Sequence, residues 1–196
     1  MVTRQTPLGG DRSGTEHADD LWRFSCEVFE DPAVAKACLA LQDDTADDLS
    51  CADVNIILFV TWLVINGWGP LDEYFLATVI KTARPWQKDV VRPLRALRRE
   101  LKALSLPEAR KIRTSVQHSE IAAERAEQTA LVEVMAILHQ CDDVLAPQAM
   151  GDEIRLLLEK YMAIILGNEM AREPSIRTLI GDYITAIEPV LINRSA

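Results

Sequence analysis

Glycine and histidine are scarce in this 196-residue chain, which holds eight of the first and three of the second, His17, His118 and His139. Those shortages exclude several chemistries. There is no glycine-rich loop of the kind that cradles phosphate, and no Gly-x-Ser-x-Gly turn for a nucleophilic serine. No histidine follows a glutamate by three residues, so the Glu-x-x-His pairs of a di-iron bundle are missing, and the row Glu120, Glu124, Glu127 lacks nitrogen ligands. The four cysteines, Cys26, Cys38, Cys51 and Cys141, form no Cys-x-x-Cys pair and read as buried thiols of a cytoplasmic protein. No metal or cofactor is expected, and catalysis is the weaker expectation.

A long apolar run is missing too. From Val54 to Ile65 ten of twelve residues are apolar, but Asn66-Gly67 ends the run, and a membrane span needs about 20 such residues. The first twenty residues contain no apolar core of a secretory signal. Residues 1–18 read as a disordered tail, with order beginning after about Glu16. The stretch Asp43-Asp44-Thr45-Ala46-Asp47 has the D-D-x-x-D form used for magnesium diphosphate in terpenoid synthases. The second metal motif of those enzymes is missing, so the stretch reads as a solvated acidic connector.

What is present is apolar spacing of three and four, which predicts an all-α bundle of about seven or eight helices. The run Val54–Ile65 is apolar on every side and should be its central helix, opened by Ser50-x-x-Asp53 as a capping box and closed at Gly67. Around it the pattern gives helices over 21–30, 32–42 and 71–83. Pro85 is expected to start a further helix to about Ala103, bent at Pro93, and Ser105-x-x-Glu108 another that continues to about Gln140. Two last helices, Asp152–Leu166 and Ser175–Ile192, complete the chain. The domain reading is a tail (1–18), a bundle with a helical hairpin (19–141) and a two-helix C-terminal extension packed on the bundle (142–196).

Charge is distributed steeply. Between Lys81 and Arg113 lie eleven of the 21 basic residues and three acids, a balance of +8 in a chain whose net charge is −9, which leaves −17 for the rest. Trp86, Val90, Leu94, Leu97, Leu101 and Leu104 make an apolar stripe, expected to face the core. Arg84, Lys88, Arg92, Arg95, Arg99 and Lys102 run along the opposite side. If the two helices turn near Ser105, Arg92 meets Glu120 and Lys88 meets Glu124, with the glutamates on a flank. The tip residues Arg95, Arg98, Arg99, Lys102, Arg110, Lys111 and Arg113 then have few acids nearby. They are the candidate partner-binding surface.

An acidic protein surface is the favoured partner. Nucleic acid is also compatible with the tip, but the overall charge opposes it and no RNA-binding aromatic signature is present. Anionic lipid ranks last, because the helix carrying the arginines is expected to commit its apolar face to the core. A seam of small residues from Ala109 to Ala130 on the 107–140 helix would suit internal packing or a homodimer. The function this favours is a non-enzymatic interaction or adaptor protein. The alternative is a small-ligand-binding protein or enzyme with a pocket around Trp22, Asp53, Asn55 and Trp86. The polar pair Asp53 and Asn55 would otherwise serve only to satisfy helix-start amides and a neighbouring helix.

Several stretches together carry a resemblance: L-W-R-F-S (21–25), A-C-L-A-L-Q-D (37–43), A-D-V-N-I-I-L-F (52–59), P-W (85–86), V-V-R-P-L-R-A-L-R-R-E-L-K (90–102) and E-I-A-A-E-R-A-E (120–127). In this order they resemble an uncharacterised conserved family of small proteobacterial proteins. The resemblance implies a small, helical, non-secreted protein with no assigned activity, and it supplies no catalytic residues. The tail from about Asp142 departs from that pattern.

Overall fold

The computed structural model describes residues 14–44, 52–104, 106–140 and 145–195. Residues 1–13, most of the acidic connector, Cys51, Ser105 and Cys141 lie outside the described residues, as does the expected capping residue Ser50. The architecture is an all-α bundle: α1 (Gly14–Phe29), α2 (Pro32–Asp44), α3 (Val54–Ile65), α4 (Glu73–Trp86), α5 (Arg92–Ala103), α6 (Pro107–Glu133), α7 (Pro147–Leu166), a single turn α8 (Asn168–Ala171) and α9 (Pro174–Ser195). The sheet content among the described residues is a two-residue contact, β1 (Trp68–Gly69) antiparallel to β2 (His139–Gln140). None of the described helices is long and apolar enough to cross a membrane.

Helix α3 is the centre. Every residue from Asn55 to Val64 is buried, as an all-round apolar helix requires. Its N-cap is Asp53, whose Oδ1 accepts the Asn55 amide at 2.9 Å. That places the cap three residues later than a Ser50 capping box would. Its interior polar side chain Thr61 and the amide of its N-cap are both satisfied. Thr61 Oγ1 lies 2.9 Å from the Ile57 carbonyl and 2.8 Å from the Tyr183 hydroxyl of α9. The Asp53 amide donates to the Tyr161 hydroxyl of α7 at 2.8 Å. Leu157, Leu158, Tyr161, Ile180 and Tyr183 belong to the same core as Phe24, Leu41 and Phe59.

Three expectations need correction. Helix α1 begins at Gly14, inside the stretch expected to be disordered: Glu16 sits in its first turn, where a carboxylate suits the helix dipole, and Ala18 is already buried. Pro85 does not start a helix but lies in the last turn of α4. Helix α6 ends at Glu133, and a 3-10 turn (Val134–Ile137) leads into β2 short of the expected end at Gln140.

Between α4 and α5 the chain winds through a π-helical turn, Gln87–Val91. Pro93 has no amide to donate, and in a regular α turn its ring would press on the Asp89 carbonyl. The wider π turn, closed by the Arg92 amide on the Gln87 carbonyl, comes just before it. The extra residue rotates the rod. Ala83, Gln87 and Val91 are buried, whereas Trp86 and Val90 of the expected core stripe are only half-buried.

The consequence for α5 is larger, since none of its residues is buried. Leu97 and Leu104 are 43% and 51% exposed, while Leu94 and Leu101 are half-buried, so the apolar stripe is only partly covered over this helix. An ionic cluster ties α5 to α6: Arg95 and Arg98 reach Glu120, and Arg95 also reaches Glu124. The partners lie farther along α6 than the Arg92–Glu120 register expected. Side chains lean toward the N-terminus of their own helix. In an antiparallel hairpin the arginines therefore lean away from the turn and the glutamates toward it.

Candidate functional site

The polar residues of α3, the π turn and α6 converge on one buried network. Gln87 Nε2, on the same inward face as Val79 and Ala83, donates to Asp53 Oδ1 at 3.0 Å and to Glu127 Oε2 at 2.8 Å. Asn55 Nδ2 donates to the same Glu127 oxygen at 2.9 Å. Gln128 Nε2 donates to Asn55 Oδ1 at 2.9 Å and to Ser25 Oγ of α1 at 3.0 Å. Four separate stretches of chain thus supply one constellation.

Its two carboxyls are nearly dry, with Asp53 5% exposed and Glu127 fully buried. Burial first, then the facing Asp53 charge and hydrogen bond, push the Glu127 carboxyl up to about 11. Burial also raises Asp53, against the lowering pull of its hydrogen bonds to Glu127 and the Asn55 amide. Each carboxyl keeps one buried oxygen, Asp53 Oδ2 and Glu127 Oε1, with no donor from another side chain or amide. Two like charges in so dry a site cannot both stand ionised, so the pair holds one proton and bonds itself.

A second, charged layer lies beside this floor. Arg95 uses all three guanidinium nitrogens: Nε to Glu120 Oε1 at 2.9 Å, one terminal nitrogen to Gln42 Oε1 at 2.9 Å, the other to Glu124 Oε1 at 2.8 Å. Arg98 grips Glu120 from the other side. Burial opposes the Arg95 charge, but Glu120 and Glu124 outweigh it and raise its pKa. For Glu120 burial works upward, and the two arginines win and lower it; for Glu124 burial wins over Arg95 and raises it.

Floor and charged layer together bound a cavity of about 580 Å³. Its polar lining includes Asp53, Asn55, Gln87 and Gln128, and its charged wall includes Arg95, Arg98, Arg99, Glu120 and Glu124. The apolar lining includes Trp22, Phe29, Leu39, Leu58 and Ile121. The Arg125 guanidinium stands 5.9 Å from the centre of the Trp22 ring and bonds Asp19 at 2.8 Å.

The residues singled out in the sequence divide three ways. Trp22, Asp53 and Asn55 come together in the cavity, while Trp86 lies outside its lining. Asp53 and Asn55 also perform the helix-start and cross-helix bonding expected of them as plain structural residues. Of the basic residues, Arg95, Arg98 and Arg99 line the cavity, and the first two are held by Glu120. Lys102, Arg110 and Lys111 are exposed at the hairpin end, and Arg113 is half-buried with its Nε unpartnered.

Gln42, Gln87, Glu127 and Gln128 were not singled out as site residues. The row Glu120, Glu124, Glu127 carried a signal, because the face it marks is the inward one: Val116, Glu120, Ala123 and Glu127 are all buried. It is not a flank. Gln87 carried one too, since it follows the buried Val79 and Ala83 at steps of four on the inward face of α4. Among the described residues no group of three or more His, Cys, Asp or Glu is placed to hold a metal ion.

A family model described as "Protein of unknown function (DUF2390)" matches residues 20–131, a span that includes the whole cavity lining. No curated protein and no solved structure matches the chain.

Proposed function

We propose a function for a chain that belongs to the family of proteins of unknown function DUF2390: it binds a small organic molecule in the cavity between α1, α2, α3, α5 and α6. One observation carries this reading. The cavity floor presents Asp53, Asn55, Gln87 and Gln128, bonded into one buried network with Glu127, in a place where an apolar filling would serve the fold as well or better. Convergent polar groups in an otherwise apolar concavity are the usual form of a ligand site, and about 580 Å³ suits a small metabolite. The lining favours a molecule with an apolar or aromatic body, to lie against Trp22 and Leu58, and hydrogen-bonding groups at one end.

The test is a thermal-shift screen of a metabolite collection against wild type and Ile121→Trp, a substitution at a partly exposed position of the lining. The reading expects molecules that raise the melting temperature of wild type and not of Ile121→Trp. No stabilising molecule, or equal stabilisation of both proteins, would overturn it.

A second reading is favoured by a different observation. Arg99, Lys102, Arg110 and Lys111 are exposed and make no ion pair among the described residues. In this reading the hairpin end is a docking surface for an acidic partner.

A further inference from the structure

The basic residues at the hairpin end do not stand alone. Leu104 and Leu106, on either side of the turn, are 51% and 58% exposed; Ile112 is 52% exposed on the first turns of α6. Leu97, Leu101 and Leu104 follow each other at steps of four and three along α5, and none is buried. Helix α5 packs mainly on α6 and the π turn, with Arg95 also reaching Gln42 of α2, and the side it gives α6 includes Arg95 and Arg98. Its leucine side is therefore only partly covered, with Leu97 and Leu104 exposed and Leu101 half-buried.

An end that is both apolar and basic narrows the partner. A second copy would bring Arg99, Lys102, Arg110 and Lys111 against themselves, a like-charge contact. An acidic protein would need a groove shaped to several leucines spread over two helices. An anionic bilayer needs no such fit: leucines enter the headgroup layer and the flanking cations meet lipid phosphates. The rest of the chain points the same way. It carries −17 against the +8 of Lys81–Arg113, so an anionic surface favours approach by this segment over the rest of the chain. We infer that the α5–α6 end docks on an anionic lipid surface through Leu104, Leu106 and Ile112 together with Arg99, Lys102, Arg110 and Lys111. The contact is peripheral, since none of the described helices can span a bilayer. It rests on the second reading above and gives it a partner.

The experiment is co-sedimentation of the full chain with vesicles of equimolar phosphatidylcholine and phosphatidylglycerol, and with vesicles of phosphatidylcholine alone. Two variants accompany wild type, Arg99→Glu/Lys102→Glu/Arg110→Glu/Lys111→Glu and Leu104→Ser/Leu106→Ser. All substituted residues are exposed, and melting temperatures confirm that the variants fold. Wild type should bind the anionic vesicles, weaken as salt rises and ignore the neutral ones. The charge reversal should lose at least about ten-fold in partitioning, and the serine variant should weaken while still responding to salt. Failure of wild type to bind anionic vesicles, or equal binding by either variant, would overturn the inference. Two other results would also overturn it: a solution dimer that Leu104→Ser/Leu106→Ser dissolves, or tip-dependent capture of an acidic protein by a chain that ignores vesicles. The last would leave the second reading standing.

Discussion

Gln87 Nε2 reaches Glu127 Oε2 at 2.8 Å from a π-helical turn, and with its other hydrogen it holds Asp53 Oδ1 at 3.0 Å. One amide thus joins the two buried carboxyls from outside while a shared proton joins them from within. Gln87→Leu would leave one oxygen of each carboxyl with fewer donors. Such a loss costs about 1–3 kcal/mol for each buried group left short. Urea unfolding should show a lower midpoint at unchanged slope; a neutral effect would mean that the glutamine is incidental.

Glu127 makes the fold sensitive to alkali. Its folded pKa is raised to about 11 from the ordinary 4.5, so above the lower value the native state holds a proton that the unfolded chain releases. Stability is full below the unfolded pKa and falls as pH rises toward the folded one, by at most about 1.4 kcal/mol per pH unit. Glu127→Gln supplies a permanent N–H in place of the shared proton. It should flatten the melting-temperature profile between about pH 6 and pH 9 and exceed wild type at the upper end. Parallel profiles for the two proteins would contradict the shared proton.

Arg95 and Arg98 should not be equivalent. Arg95 bonds three side chains and is 18% exposed, whereas Arg98 is 27% exposed and bonds Glu120 alone. Arg95→Ala strands Glu120, Glu124 and Gln42 in part and should cost about 3 kcal/mol. Arg98→Ala should cost about 1 kcal/mol or less, as a more exposed pair does. Equal losses in chemical denaturation would place the strength of the hairpin elsewhere.

Tyr183 ties α9 to the central helix through Thr61 at 2.8 Å, and both residues are fully buried. Tyr183→Phe removes the partner of a hydroxyl that still bonds the Ile57 carbonyl, so a loss of about 1 kcal/mol is expected. Removing α9 altogether uncovers α2 and α7 and should abolish cooperative unfolding in calorimetry.

The central helix and the paired basic and acidic helices were legible from residue spacing, because both follow from a period of 3.6. The π turn was not. One extra residue between Gln87 and Arg92 turns Val91 inward in place of Val90 and leaves Leu97 and Leu104 exposed, and no local signal beyond Pro93 marks it. The hairpin register was offset for a different reason: counting back from the turn neglects the lean of long side chains, which carries Arg95 to Glu120. Asp53 and Asn55 stood out as polar residues opening an apolar helix. Glu127 was visible only as one of three spaced glutamates. That it faces a second carboxyl depends on the approach of α3 to α6, which the period of neither helix encodes.

The most direct test of the cavity as a ligand site is a crystallographic fragment soak of the wild-type protein. The account predicts fragments clustered between Trp22 and Leu58, with polar atoms on Gln87, Asn55 or Gln128. A cavity collapsed by its own side chains, or fragments bound everywhere but there, would contradict it.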